Sequence, residues 1–304
     1  MAEVATDTAA PADGTVSRPR RFWSALGAYG GFAPALILLG CFFLVPLGII
    51  VCYSFWEVID YNVVHHWTLG NYRYFFSVSA YITTMWATLW VAVAATALAI
   101  GLAFPFAYWL ARYVPQRLRA LLLVLVIVPF WTSYLLRVYS WLTILGEKGL
   151  LNRLLQWLGI VHHPIGLFLY DRPAVILVLV YLYFPFAALT LYASIDRFDW
   201  DQLRAAMDLG ARPLTAIRRI LVPQIKPGLV TAVIFVFIPV LGEYLTPQIV
   251  GGTKGVMIGN LVVNFFQADE YTRGAAISIL IALFILLMLT VFRKSLSAPE
   301  AYGA

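Results

Sequence analysis

Long apolar stretches alternate with short polar ones along nearly the whole chain. The apolar runs fall near 32–56, 81–111, 119–145, 173–193, 228–250 and 274–292. Each holds about 20 helical residues, the length that crosses roughly 30 Å of hydrocarbon at 1.5 Å per residue. The pattern predicts an all-α polytopic membrane protein with six transmembrane helices. Helices that are apolar on every side carry no 3.6-residue stripe, so periodicity does not separate their lipid-facing from their bundle-facing positions. The first run is too long for the apolar core of a signal peptide and lacks a small-residue cleavage pattern, so it is expected to remain as an anchor. Residues 1–17 are rich in Ala, Thr, Asp, Pro and Gly without any apolar period, and read as a disordered tail ahead of one transmembrane domain over 18–304. Pro46, Pro105, Pro129, Pro185, Pro239 and Pro247 lie inside or near the ends of these runs, where a missing backbone N–H kinks a helix.

The most informative polar stretch runs from Ser194 to Gly228, between the fourth and fifth apolar runs. Trp200, Leu203, Ala206, Met207 and Leu209 recur near helical spacing, with Asp201, Arg204 and Asp208 between them. Gly210 is placed to end that helix, because glycine tolerates positive φ. After Arg212-Pro213 a second short helix begins, with Leu214, Ile217, Ile220 and Leu221 on one face and Arg218 and Arg219 on the other; Pro223 and Pro227 are expected to stop it before the fifth span. The stretch 147–160 carries Leu150, Leu151, Leu154, Leu155 and Leu158 at helical spacing and predicts a short amphipathic helix along the outer interface.

Composition agrees with the bilayer. Of 304 residues, 62% are hydrophobic and 12% charged, about half the charge of a soluble domain. A water-exposed fold would need far more polar surface, which excludes a soluble enzyme. The net charge of +6 does not point to nucleic acid, since no basic run interleaved with aromatics lies on a polar segment. Topology accounts for it. Fourteen Lys and Arg residues lie in the 18–21, 112–119 and 194–227 stretches and at 293–294, six lie in the alternate loops, and Arg137 is left inside a span. This asymmetry predicts that both termini are cytoplasmic. Cys41 and Cys52 share one apolar run, roughly 16 Å apart on a helix, too far to form a disulfide.

Arg137 and Glu243 are the two formally charged side chains well inside the apolar runs. Each costs a few kcal/mol to insert unless it is paired or faces a wet cavity, which makes both functional candidates. At 1.5 Å per residue they lie roughly 25 Å and 22 Å from the cytoplasmic ends of their helices, so they can share a level. One reading is an interhelical Arg137–Glu243 salt bridge that sets packing. The other is that Glu243 is an anionic station for an ammonium group on a translocation path, with Trp131, Tyr134, Tyr139, Trp141 and Tyr244 offering π faces. Tyr139 and Trp141 also suit interfacial anchors. His65-His66 and His162-His163 lack a carboxylate or Cys at zinc-ligand spacing and are read as exposed loop residues, with no metal expected. No Gly-x4-Gly-Lys-Ser/Thr loop is present, and Gly251-Gly252-Thr253-Lys254-Gly255 is only a superficial echo, so no nucleotide hydrolysis is expected of this chain. A membrane enzyme would need a facing carboxylate pair, a Ser/His set or a metal cluster in the spans, and a secondary transporter would usually carry more intramembrane ionisable stations.

Arg204-Ala205-Ala206, Gly210, Ile220, Val222 and Pro223 stand at the spacings of Glu-Ala-Ala, three residues, Gly, nine residues, then Ile, any residue, Leu-Pro. In this the sequence resembles the permease subunits of binding-protein-dependent ABC importers, with Arg204 where that family has Glu. The resemblance implies the type I importer permease fold and a role for Asp201, Arg204, Ala205, Ala206, Asp208, Gly210, Ile220 and Pro223 in docking to an ATPase subunit. It also implies a second permease subunit, two ATPase subunits that use ATP and Mg, a periplasmic solute-binding protein, and the bacterial inner membrane as location. This chain itself would bind no cofactor. Further residues narrow the resemblance to the first permease subunit of spermidine/putrescine importers: Asn71-Tyr72 with Phe75-Phe76, Pro105 with Ala107-Tyr108 and Ala111-Arg112, Pro129-Phe130-Trp131-Thr132-Ser133 with Arg137, Tyr139 and Trp141, and Gly242-Glu243-Tyr244 with Thr246-Pro247 and Gly251-Gly252. Importers of other small cationic or opine-like solutes share much of this pattern. The substrate path it implies is lined by Glu243, Tyr244, Trp131, Tyr134, Arg137 and Tyr139.

Overall fold

The structure, a computed structural model, describes residues 33–59, 62–163 and 169–296. The expected tail at 1–17 and the arginines at 18–21 lie outside them. The chain forms two compact units, residues 1–49 and 50–304. In the first, described residues 33–49 belong to helix α1 (Ala33–Phe55), an apolar helix containing Pro46.

The second unit begins with the last turns of α1 and a short antiparallel hairpin, β1 (Glu57–Ile59) with β2 (Asn62–Val64), which pairs Glu57 with Val64. Helices follow: α2 (Gly70–Ser77), α3 (Ser79–Tyr113), α4 (Gln116–Ile127), α5 (Tyr134–Leu145), α6 (Leu150–Trp157) and α7 (Arg172–Ile195). Next come α8 (Trp200–Asp208), α9 (Pro213–Gln224), α10 (Lys226–Leu241), α11 (Leu245–Val250), α12 (Ile258–Gln267) and α13 (Tyr271–Leu296).

Among the described residues, four helical segments are long and apolar enough to cross a membrane: Ile37–Phe55, Ser79–Tyr113, Arg172–Ile195 and Tyr271–Phe292. Two bent pairs raise the number to as many as six, if each pair is counted as one span. The third predicted span, 119–145, is therefore not one continuous helix. It breaks at a 3-10 turn, Val128–Trp131, and the segments Gln116–Trp131 and Tyr134–Trp157 meet at 91°. Pro129 has no N–H for the Leu125 carbonyl, and Thr132 turns extended at φ −85° and ψ 153°.

The fifth predicted span, 228–250, is also interrupted. Helix α10 ends at Leu241, and Gly242, Glu243 and Tyr244 are unwound before α11. Pro247 explains the position: in a continuous helix its nitrogen would face the Glu243 carbonyl, which it cannot bond and with which its ring would clash. The second short helix ends at Gln224, between Pro223 and Pro227; the chain turns at Ile225, Pro213–Gln224 and Lys226–Leu241 meet at 75°, and Pro227 sits in the first turn of α10, where an N–H is not needed.

The core of this unit is built on α3 and α7, with α10 packed on both. Ala92, Ala95, Ala99, Ala103, Ala107 and Ala111 form a stripe on α3, each at most 2% exposed. Small side chains there let the backbone come close to Val175, Val178, Leu182, Leu191 and Ile195 of α7. Between apolar helices in lipid, such close van der Waals contact is a main source of association.

Candidate functional site

Glu243 is 8% exposed and lies in the unwound segment between α10 and α11. Four donors meet its carboxylate. Oε1 accepts from the backbone N–H groups of Leu245 at 3.1 Å and Thr246 at 3.2 Å, so the side chain caps the start of α11. Oε2 accepts from the hydroxyls of Tyr134 at 2.8 Å and Tyr183 at 3.2 Å. Tyr134 also bonds the Thr246 hydroxyl at 2.8 Å. An ionised carboxylate has about four acceptor positions, and all are used.

Neighbouring polar groups complete the unwound segment. Asn260 on α12 donates from Nδ2 to the Tyr244 carbonyl at 2.8 Å, while its Oδ1 accepts from Met257 N–H at 3.0 Å. Ile258 N–H donates to Thr88 Oγ1 on α3 at 2.8 Å. A Cβ on Gly259 would stand 2.7 Å from the Glu243 carbonyl oxygen, which explains glycine at that position of α12. Broken backbone at membrane depth is tolerated where protein groups satisfy it in this way.

No Arg137–Glu243 salt bridge forms; the ion pairs among the described residues are Arg119–Asp196, Arg204–Asp201 and Arg273–Glu270. The guanidinium of Arg137 lies instead over the Phe130 ring at 4.4 Å and beside the Tyr134 ring at 5.6 Å, and its Nε is buried without an acceptor. The carboxylate that would pair with it is already saturated by neutral donors. Phe130 stands edge-on to Phe186, and Trp141 edge-on to Tyr181. Of the other aromatic candidates, Trp131 is 82% exposed, and Tyr139 and Tyr244 are also exposed.

The segment after α7 forms two short helices, as the periodicity suggested. Asp199 caps α8 by accepting from Asp201 N–H at 3.0 Å, and Gly210 ends it at φ +89°. Trp200 fastens α8 to the end of α3: its ring stands edge-on to Tyr108 at 5.7 Å, and the Arg112 guanidinium lies over it at 5.1 Å. Arg119 ties the same end of α3 to α7, donating to Ala111 and Val114 carbonyls and pairing with Asp196 at 2.8 Å. Leu203 is buried, whereas Asp201, Arg204, Ala205 and Asp208 face outward. Arg204 pairs with Asp201 at 2.7 Å, one turn away. Leu209 and Leu214, which the periodicity grouped with the apolar face of each short helix, are 90% and 76% exposed on either side of the turn at Gly210. Ile220 is half-buried within a π-helical stretch, Ile217–Leu221, and Pro223 is exposed.

A family model for the inner membrane component of binding-protein-dependent transport systems matches residues 103–295. The chain belongs to this family. The match covers both broken spans and the α8–α9 segment.

Curated members of the family similar to this chain include the spermidine/putrescine transport system permease protein PotB of Salmonella typhimurium. It is 38% identical over 188 residues, 62% of this chain and 65% of that protein. The aligned part thus spans just under two thirds of the length of that relative. PotB of Haemophilus influenzae is 33% identical over 229 residues, covering 75% of this chain and 79% of that one. Among solved structures, a bacterial ABC transporter involved in the import of the acidic polysaccharide alginate has a chain that superposes with TM-score 0.71. The identity is 17%, and 92% of this chain and 100% of that one are covered. That likeness is one of fold.

Tyr183, Asn260 and Thr88 join the site only in three dimensions. Tyr183 and Thr88 are common residues in long apolar runs, Asn260 lies between two such runs, and nothing local marks any of them. Pro247, four residues after Glu243, was the available signal for the break. The His65 ring stands edge-on to Trp56 at 4.3 Å, and among the described residues no group of His, Cys, Asp or Glu is arranged to hold a metal.

Proposed function

We propose that this chain is one permease subunit of an ATP-driven importer and that it conducts a small organic polycation, putrescine or spermidine, delivered by a periplasmic binding protein. Its strongest support is a buried carboxylate, Glu243, set among tyrosines at the break of a span: an anion beside π faces suits an ammonium group in transit. The similarity to PotB proteins favours a polyamine over an opine-like solute. In this reading the helices make six spans with both termini cytoplasmic, as the Lys and Arg distribution favours.

The path is completed by a second permease subunit, and two ATPase subunits hydrolyse ATP with Mg below. Helices α8 and α9 dock on an ATPase, with Leu209 and Leu214 as the apolar contacts and Asp201, Arg204, Ala205, Ala206, Asp208 and Gly210 around them. Closure of the ATPases moves these helices, and Trp200 and Arg119 pass the motion to α3 and α7. Ile220 and Pro223 lie just before the turn into α10, whose far end carries Glu243.

Uptake of labelled putrescine and spermidine at low concentration, in cells with and without the chain, tests this. Loss of uptake on deletion and recovery with the intact chain is expected. Unchanged uptake would overturn the polyamine assignment. Uptake that persists when the phosphate-binding lysine of the ATPase is replaced, with the ion gradient kept, would overturn ATP-driven transport.

A further inference from the structure

We propose that Phe130 and Tyr134 form a seat for an organic cation, and that Arg137 of this chain occupies the seat when no substrate does. The choice of a polyamine as competitor rests on the function proposed above; the seat itself does not. Three observations lead to it. The Arg137 guanidinium lies 4.4 Å over the Phe130 ring and 5.6 Å from that of Tyr134, the arrangement in which a ring quadrupole attracts a cation. Its Nε is buried with no acceptor, and no carboxylate pairs with it among the described residues. The nearby acid, Glu243, is filled by Tyr134, Tyr183, Leu245 and Thr246.

Among the described residues Arg137 thus has no carboxylate partner and no acceptor at Nε, and its charge rests on ring faces, which attract a cation without accepting a directed bond as a carboxylate does. Such a side chain is easily exchanged for another cation. The seat is built to last without it: Phe130 is fixed edge-on by Phe186 at 5.2 Å, and Tyr134 is fixed by its hydroxyl bonds to Glu243 and Thr246. Tyr134 thus presents its ring to the cation and its hydroxyl to the anion. An incoming ammonium that displaced Arg137 would arrive next to Glu243. With no ammonium present, the tethered guanidinium fills the aromatic surface and its positive charge opposes entry of stray cations.

The seat is tested with ethylguanidinium chloride, which carries the end group of arginine without the tether. The full chain is purified from membranes with the subunits that accompany it, and its melting temperature is followed. Ethylguanidinium at about 10 mM should raise the Tm of Arg137→Ala by about 2 °C or more, an effect expected of ligand well above its dissociation constant. It should not raise that of the intact chain or of Arg137→Ala with Phe130→Leu, and sodium chloride should not substitute. No shift in Arg137→Ala, or an equal shift in the double variant, would overturn the seat. Should Arg137→Ala fail to accumulate, growth with ethylguanidinium should restore its level but not that of the double variant; absence of restoration counts equally against the proposal. In transport, Arg137→Gln should lower the apparent KM for putrescine about two- to fivefold while Arg137→Lys leaves it near that of the intact chain. A raised KM in Arg137→Gln would overturn the competition. If the intact chain moves no polyamine, the proposed function fails and the ethylguanidinium shift still decides the seat.

Discussion

Tyr134 donates its hydroxyl to Glu243 at 2.8 Å, and this bond joins two interruptions. Tyr134 is the first residue of α5, directly after the break in the third apolar run, and Glu243 lies in the break of the fifth. The two places where the helical ladder fails thus satisfy one another. Glu243 also caps α11, so one carboxylate serves the break in its own run and the start of another helix.

Removing both tyrosine hydroxyls should not cost the sum of removing each one alone, because both donate to the same oxygen. Tyr134→Phe and Tyr183→Phe are each expected to lower stability by about 1.5–3 kcal/mol, the worth of a hydrogen bond to a charged group. The double variant should depart from additivity by at least about 0.5 kcal/mol. Thermal unfolding of the four proteins in a double-mutant cycle reads this directly; strict additivity would mean that the two hydroxyls do not share the carboxylate.

Glu243→Gln should separate charge from architecture. The amide oxygen can face the N–H groups of Leu245 and Thr246, and its NH2 can donate to the two tyrosine oxygens, which accept as well as donate. The stability change is expected to stay within about 1 kcal/mol, while uptake falls about tenfold or more because the anionic station is gone. Normal uptake at normal abundance would remove Glu243 from the path.

Gly259→Ala should be worse than its small volume suggests. Its new Cβ would meet the Glu243 carbonyl oxygen at 2.7 Å, and both contact atoms belong to backbone or to the first side-chain atom, so neither can swing away. A loss of about 1–3 kcal/mol is expected, as for overpacking elsewhere, with reduced accumulation in membranes as the readout. Gly101→Ala, whose Cβ meets nothing within 4 Å, is the control and should be nearly neutral or slightly stabilising.

Gly210→Val should disturb coupling without touching the bundle. A Cβ at Gly210 meets no neighbour, but φ is +89°, which a β-branched residue adopts only with strain of about 1–2 kcal/mol. The turn that presents Leu209 and Leu214 should therefore shift. The measurement is co-purification with the ATPase together with substrate-stimulated ATP hydrolysis: both are expected to fall, and unchanged values would sink the docking role of this turn.

Much of this was legible along the chain because it depends on near neighbours. Apolar runs long enough for the bilayer, the stop at Gly210 and the two lone intramembrane charges are all properties of a residue and those within about four positions of it. The breaks belong to the same class, since Pro129 and Pro247 each lack the N–H that would bond the carbonyl at i−4, although runs of apolar residues around them made the spans read as continuous. What answers those breaks depended on the tertiary structure. Tyr134 is 109 residues from Glu243 and Tyr183 is 60, and only the packing of α5 and α7 against α11 decides which hydroxyls reach the carboxylate. For the same reason the charges did not pair. Opposite charges at one depth suggested a salt bridge, but four neutral donors reached the glutamate, and the arginine was left to the rings of Phe130 and Tyr134.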